Sequence, residues 1–100
     1  MIVVHALCRS KPERRAETVA AMLEVQRASL EHDAGCLHYR FVADLEDDCQ
    51  FTCVEEWEDA DSLRAHLDAP HLDVYRAAVA DTLEGPSELR VFEARTREVP

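Results

Sequence analysis

The strongest constraint on the fold is a pair of β-rich segments separated by three acidic residues. Residues 36–45 (CLHYRFVADL) and 49–57 (CQFTCVEEW) are rich in aromatic and β-branched residues, and residues 46–48 (EDD) form the turn between them. This pattern predicts a β-hairpin. Because successive side chains of a strand point to opposite faces, one face of the second strand carries Phe51, Cys53, Glu55 and Trp57.

The chain before the hairpin predicts one strand and one helix. Residues 2–9 (IVVHALCR) are β-rich, and residues 10–13 (SKPE) have the pattern of a capping box at a helix start. Apolar residues at helical spacing follow, interrupted by one polar residue, Gln26. The helix is expected to end at residues 33–35 (DAG), where Gly35 can adopt a left-handed backbone conformation.

The chain after the hairpin predicts two helices and a final strand. Asp59 can cap a short helix, and Pro70 separates it from a second helix that reaches Leu83. A Gly-Pro pair at 85–86 ends that helix, and residues 88–95 (ELRVFEAR) form the last strand. The order β-α-β-β-α-α-β with a right-handed first crossover predicts an α+β fold, a ferredoxin-like antiparallel sheet with the helices on one face.

The opposite face of this sheet carries apolar residues that nothing in the chain covers. Such a face predicts a homodimer in which two sheets pack against each other. One hundred residues fit a single domain spanning 1–100.

Charge and composition exclude several functions. The net charge is −10, from 11 basic and 21 acidic residues, which opposes binding to nucleic acid or to an anionic membrane. Only two glycines are present, so a Gly-rich phosphate loop is excluded. The sequence has neither a signal-peptide pattern nor the ~20 consecutive apolar residues of a membrane span, and the expected localisation is cytoplasmic.

The four cysteines fit buried thiols better than disulfides or zinc ligands. Cys49 and Cys53 lie four residues apart in one predicted strand, roughly 13 Å from each other, which is too far for a disulfide. The spacing of the whole set, which also includes Cys8 and Cys36, matches no zinc pattern.

Two sequence blocks and the element order resemble the antibiotic biosynthesis monooxygenase superfamily. The first block is Gly35-Cys36-Leu37-x-Tyr39, and the second is Glu55-x-Trp57 followed by Leu63, His66 and Pro70-His71. The resemblance implies a dimeric α+β barrel. It also implies a cofactor-independent monooxygenase that oxidises a small aromatic or quinol-type molecule with dioxygen. An isomerase on the same fold and a non-catalytic dimeric small-molecule-binding protein remain alternatives.

The resemblance places a pocket between the helices and the sheet, near the end of the strand that bears Trp57. There Trp57 is expected to line the pocket as part of the catalytic set. His66 is the first candidate for the catalytic base and His71 the second, because histidine titrates near neutral pH. The expected substrate-binding residues are Tyr39, Glu55, Tyr75 and Arg76. Each candidate also has a purely structural interpretation: Trp57 and Tyr39 as core aromatics, Glu55 as a buried-edge carboxylate, His66 as a packing residue and His71 as a surface helix start.

The sequence predicts no metal site. On an unbroken helix, His66 and His71 would lie roughly 140° apart around the axis, and Pro70 interrupts the helix between them. Two histidines that share a helix face need a spacing of four residues.

Haem is also disfavoured. The position at which haem-degrading relatives carry their axial histidine falls near Tyr75 or Arg76. Where those relatives use an asparagine on the first strand, this chain has His5 and Leu7. No cofactor is therefore expected.

Overall fold

A computed structural model describes residues 1–99. Its four strands are Ile2–Arg9 (β1), Cys36–Ala43 (β2), Gln50–Trp57 (β3) and Glu88–Glu93 (β4). Its three α-helices are Arg15–His32 (α1), Ala60–Leu67 (α2) and Pro70–Val79 (α3), and a 3-10 turn, Pro12–Arg14, precedes α1. The strands form one sheet in the order β2-β3-β1-β4, with every neighbouring pair antiparallel. The predicted ferredoxin-like α+β fold is therefore confirmed, and β3 lies between β1 and β2 in the sheet.

The core lies between the sheet and the helices. The helix-facing side chains of β3 alternate with half-buried ones, as the sequence pattern predicted. Gln26, the polar residue in the apolar stripe of α1, accepts a hydrogen bond from the backbone N–H of Phe41 at 2.9 Å. It thereby links α1 to β2, which explains why a polar residue occupies that position. The largest fully buried side chains include Trp57, Met22, His66, Val4 and Val25.

Two predicted helix ends are wrong for the same reason. Ser10 does not cap a helix, because it pairs with Leu83 in an isolated β-bridge, and α1 is preceded by the 3-10 turn instead. The backbone N–H of Lys11 donates to the carbonyl of Thr82 at 2.8 Å. This pairing draws residues 82 and 83 out of a helical path, so α3 ends at Val79 and does not reach Leu83.

The connections around Gly35 behave as predicted and hold α1 close to α2. Gly35 has a left-handed backbone (φ 80°), and a Cβ there would overlap the side chain of Ser62 on α2. The Asp59 side chain caps α2 by accepting the Ser62 N–H at 2.8 Å. The close approach that glycine permits brings Asp33, at the end of α1, beside α2.

All four cysteines are free thiols, and Cys8, Cys49 and Cys53 are buried while Cys36 is half-buried. This agrees with the sequence prediction. None of the helices in residues 1–99 combines the length and the apolar character that crossing a membrane requires.

Strand β4 is exposed on both faces. The helices pack mainly on β2 and β3, so the helix-side residues Leu89 and Val91 remain 53% and 55% exposed. On the opposite face Phe92 is 46% exposed and contacts His5, with 5.4 Å between the ring centroids. An edge strand with apolar residues on both faces is a surface suited to a second protein chain.

We expect the chain to form a homodimer through the sheet face opposite the helices, with β4 contributing. Sedimentation at micromolar concentration should give twice the mass of the chain, and Phe92→Asp should shift the population toward monomer. Leu45→Asp is the matched control, because Leu45 is an exposed apolar residue outside the sheet. A monomeric wild-type protein under these conditions would refute the dimer.

Candidate active site

A cavity of about 190 Å³ lies between the helix-facing side of the sheet and helices α2 and α3. Its wall is largely apolar, with side chains from β1, β2, β3, α2 and α3, and Leu89 and Val91 contribute from β4. Five of the site residues that the sequence predicted lie on this wall: Tyr39, Glu55, His66, Tyr75 and Arg76. An apolar cavity with a few convergent polar groups is the usual form of a small-molecule site.

Trp57, which the sequence placed among the pocket residues, does not line the cavity but packs behind its wall. The side chain has 0% exposure, and its Nε1–H donates to Glu55 Oε1 at 3.1 Å. Its ring contacts the ring of His66 at 4.7 Å and that of Tyr39 at 6.2 Å between centroids. The indole therefore fixes two polar residues of the cavity, Glu55 through a hydrogen bond and His66 through ring contact, while it also packs in the core.

His66 is held by a carboxylate that the sequence did not single out. The His66 side chain is 2% exposed, and its Nδ1 lies 2.6 Å from Asp33 Oδ2. A carboxylate only accepts hydrogen bonds, so Nδ1 carries the proton and donates it to Asp33. The other nitrogen, Nε2, is then the unprotonated one in a ring that lines the cavity. This fixes His66 in the tautomer that can act as a base.

His71 forms a hydrogen bond with the same oxygen of Asp33. Its Nε2–H donates to Asp33 Oδ2 at 2.8 Å, and its ring lies in a separate groove between α1 and α3. The structure therefore brings His71 to Asp33 but does not place it on the wall of the first cavity. Because α2 and α3 are separate helices, the angular separation predicted for one helix does not apply, and the two histidines converge.

In the part of the chain that the structure describes, one group could hold a metal ion: Asp33, His66 and His71, whose ligand atoms lie within 4.8 Å of one another. The short distances fit hydrogen bonds better. Two ligands of a tetrahedral zinc ion, each about 2.1 Å from the metal, lie about 3.4 Å apart. Asp33 Oδ2 is 2.6 and 2.8 Å from the two ring nitrogens. The geometry is that of a carboxylate shared by two imidazole donors.

Burial has opposite effects on the pKa values of Glu55 and His66, both on the cavity wall. It raises the pKa of Glu55 to about 7, with the hydrogen bonds from Trp57 and Cys53 opposing the shift. It lowers the pKa of His66, and the Asp33 carboxylate offsets part of that effect. At neutral pH the His66–Asp33 contact is thus a hydrogen bond from a neutral imidazole, and His66 can accept a proton.

The raised pKa of Glu55 makes stability depend on pH. Between pH 4.5 and about 7, folded Glu55 keeps a proton that it has released in the unfolded chain, so the contribution of Glu55 to the free energy of unfolding falls as pH rises. Glu55→Gln cannot lose a proton, so its stability relative to wild type should rise by ~3 kcal/mol between pH 4.5 and about 8. Urea denaturation across this range measures the effect.

Glu56→Gln is the control for this experiment, because Glu56 lies on the opposite face of β3. A relative stability of Glu55→Gln that does not change with pH would contradict the assignment.

The other predicted residues have partners of their own. Arg76 donates to the carbonyl of Leu67 at 3.1 Å and to Asp73 at 3.2 Å, which holds its side chain beside the cavity. Burial raises the pKa of Tyr39 and of Tyr75 far above the usual range, so both keep their hydroxyl protons. These hydroxyls can donate hydrogen bonds to a ligand.

The family model for antibiotic biosynthesis monooxygenases matches residues 1–80. The chain belongs to this family. Among curated protein sequences, none matches the chain significantly.

Solved structures with the same fold cover nearly the whole chain. A conserved protein from Methanosarcina mazei Go1 is 26% identical with a TM-score of 0.88, over 94% of this chain and 92% of that one. A protein from Deinococcus radiodurans that is named for the same family is 20% identical with a TM-score of 0.90, over 100% and 98% of the two chains. Rv0793 from Mycobacterium tuberculosis is 20% identical with a TM-score of 0.87, over 98% of each.

Proposed function

We propose that this member of the antibiotic biosynthesis monooxygenase family is a cofactor-independent monooxygenase that oxidises a small aromatic or quinol-type molecule with dioxygen. The observation that carries the proposal is the His66–Asp33 hydrogen bond at 2.6 Å. This bond favours the tautomer with the proton on Nδ1 and leaves Nε2 as a base in a ring that lines an apolar cavity.

The chemistry needs only a base and a water-poor site. An electron-rich phenol or quinol becomes reactive toward dioxygen when it loses a proton, because its anion can pass an electron to oxygen. His66 takes that proton, and Asp33 stabilises the imidazolium that forms. Tyr75 and Arg76 lie on the same wall and can donate hydrogen bonds to the phenolate oxygen. The apolar lining strengthens these interactions by excluding water.

The cavity volume limits the size of the substrate. Cavities of about 150 Å³ accommodate benzene, and this cavity measures about 190 Å³. A molecule with one or two rings fits these dimensions. Part of the cavity wall is formed by Leu89 and Val91 of the exposed strand β4. A partner chain bound to β4 would therefore also change the size of the cavity.

Oxygen consumption with a panel of one- and two-ring quinols tests the proposal. We expect turnover by protein without visible absorbance, without flavin and without stoichiometric metal, and a chelator should leave the rate unchanged. Turnover that requires added flavin or metal would contradict cofactor independence. Quinol binding without oxygen uptake would instead identify a non-catalytic binding protein, and isomerisation of a ligand without oxygen uptake would identify an isomerase.

A further inference from the structure

Glu55 is a buried carboxyl group for which the proposed oxidation has as yet no role. It is 5% exposed, lies on the helix-facing side of β3 and shares the cavity wall with His66. Trp57 Nε1–H donates to Oε1, which leaves Oε2 as the other carboxyl oxygen. Within residues 1–99, no cationic side chain forms a salt bridge with Glu55. A buried acid without a cation is costly to ionise, and groups of this kind in a cavity are candidates for proton transfer.

Glu55 differs from the other acidic side chains around the cavity, because it can release its proton near neutral pH. The titratable groups around it are Cys53 on its own strand, Tyr39 and Cys36 on β2, Cys8 on β1, His66 on α2, and Tyr75 and Arg76 on α3. Burial raises the pKa of every one of the thiols and phenols in this set, so they stay protonated near pH 7. Glu55 and His66 are therefore the cavity-wall groups that can exchange protons there, one as acid and the other as base.

We propose that Glu55 is the general acid that protonates the peroxide formed when dioxygen adds to the substrate anion. This inference rests on the proposed monooxygenase function. It assigns proton donation to the strand side of the cavity and proton abstraction to the helix side, where His66 lies.

The proton and electron balance closes without a further reactant. His66 removes the hydroxyl proton of the quinol, and dioxygen adds to the ring carbon beside the phenolate oxygen to give an HC–O–O⁻ peroxide. Glu55 donates its proton to the terminal oxygen. The Glu55 carboxylate then removes the hydrogen of that ring carbon as the C=O bond forms and the O–O bond breaks. The departing hydroxide takes the proton held by His66, so the products are a hydroxyquinone and water, with the four electrons of dioxygen reduction supplied by the quinol ring.

Glu55→Gln tests this step, because glutamine keeps an acceptor for Trp57 but has no acidic proton. With a quinol that wild type oxidises, kcat should fall about 10²-fold or more, as expected for a lost general acid. The fall of wild-type kcat on the alkaline side, which reports the loss of the Glu55 proton, should disappear in Glu55→Gln. Glu55→Asp should recover part of the rate. Glu56→Gln, on the opposite face of β3, should behave as wild type.

The outcomes separate the two proposals. Wild-type turnover with an unchanged kcat and an unchanged alkaline limb in Glu55→Gln would overturn the role of Glu55 and leave the monooxygenase function intact. A lowered kcat that Glu55→Asp does not improve, with the alkaline limb still present, would show a structural role and would also overturn the acid. Absence of oxygen uptake by wild type on the whole panel would overturn the proposed function and, with it, the step assigned to Glu55.

Discussion

Replacement of His66 by alanine is expected to lower kcat by ~10²–10⁴-fold, the usual loss when a proton-transfer group is removed. The imidazole is 2% exposed and lies on the cavity wall, with Nδ1 bonded to Asp33. Because the base acts in the transition state, the loss should appear mainly in kcat and much less in KM. Oxygen uptake at saturating quinol measures the change.

Two further variants define the role of this histidine. Asp33→Asn should also lower kcat strongly while the cavity is preserved, because an amide can donate to Nδ1 and so stabilise the wrong tautomer of His66. His38→Ala is the matched control, since His38 lies on β2 outside the cavity. Equal rates for His66→Ala and wild type, on a substrate that wild type turns over, would end the assignment of His66 as the base, and His71 would be tested next.

Replacement of Trp57 by alanine is expected to destabilise the fold by ~3–5 kcal/mol, as truncation of a core aromatic does. Trp57 has 0% exposure, and its removal takes contacts from both Tyr39 and His66. It also leaves Glu55 without its indole donor. The urea midpoint should fall with an unchanged m-value, which identifies a loss of stability and not a change in the unfolded state.

Trp57→Phe separates packing from hydrogen bonding. Phenylalanine keeps an aromatic body, so most of the stability should remain, but it lacks the N–H that lowers the pKa of Glu55. The pKa of Glu55 should therefore rise further, and substrate positioning should change more than proton abstraction. A Trp57→Ala protein as stable as wild type would show that the ring does not anchor the core.

The fold could be predicted because its signals are local. The alternation in residues 49–57 fixes which side chains of β3 face the helices, and the turns around it fix the element order. A cap such as Asp59 depends only on the residues that follow it. The capping pattern at Ser10 was outweighed by hydrogen bonds to the distant backbone of residues 82 and 83. A local sequence pattern does not reveal such long-range pairing.

The candidate site was predictable only in part for the same reason. Residue types and family resemblance pointed to His66, Glu55 and Trp57, but Asp33 looked like an ordinary helix end. Its role depends on the tertiary approach of α1 to α2, which Gly35 permits. The meeting of His71 with Asp33 depends on the angle between two helices across Pro70, and a sequence does not state that angle.

The single tryptophan gives the chain a spectroscopic probe directly behind the wall of the candidate active site. Trp57 is the only indole, and it contacts both the carboxyl group of Glu55 and the ring of His66. Its emission therefore originates at one place, next to the two groups whose charge changes during the proposed oxidation. Ligand entry, protonation and local unfolding of this region can all be followed by fluorescence without a label.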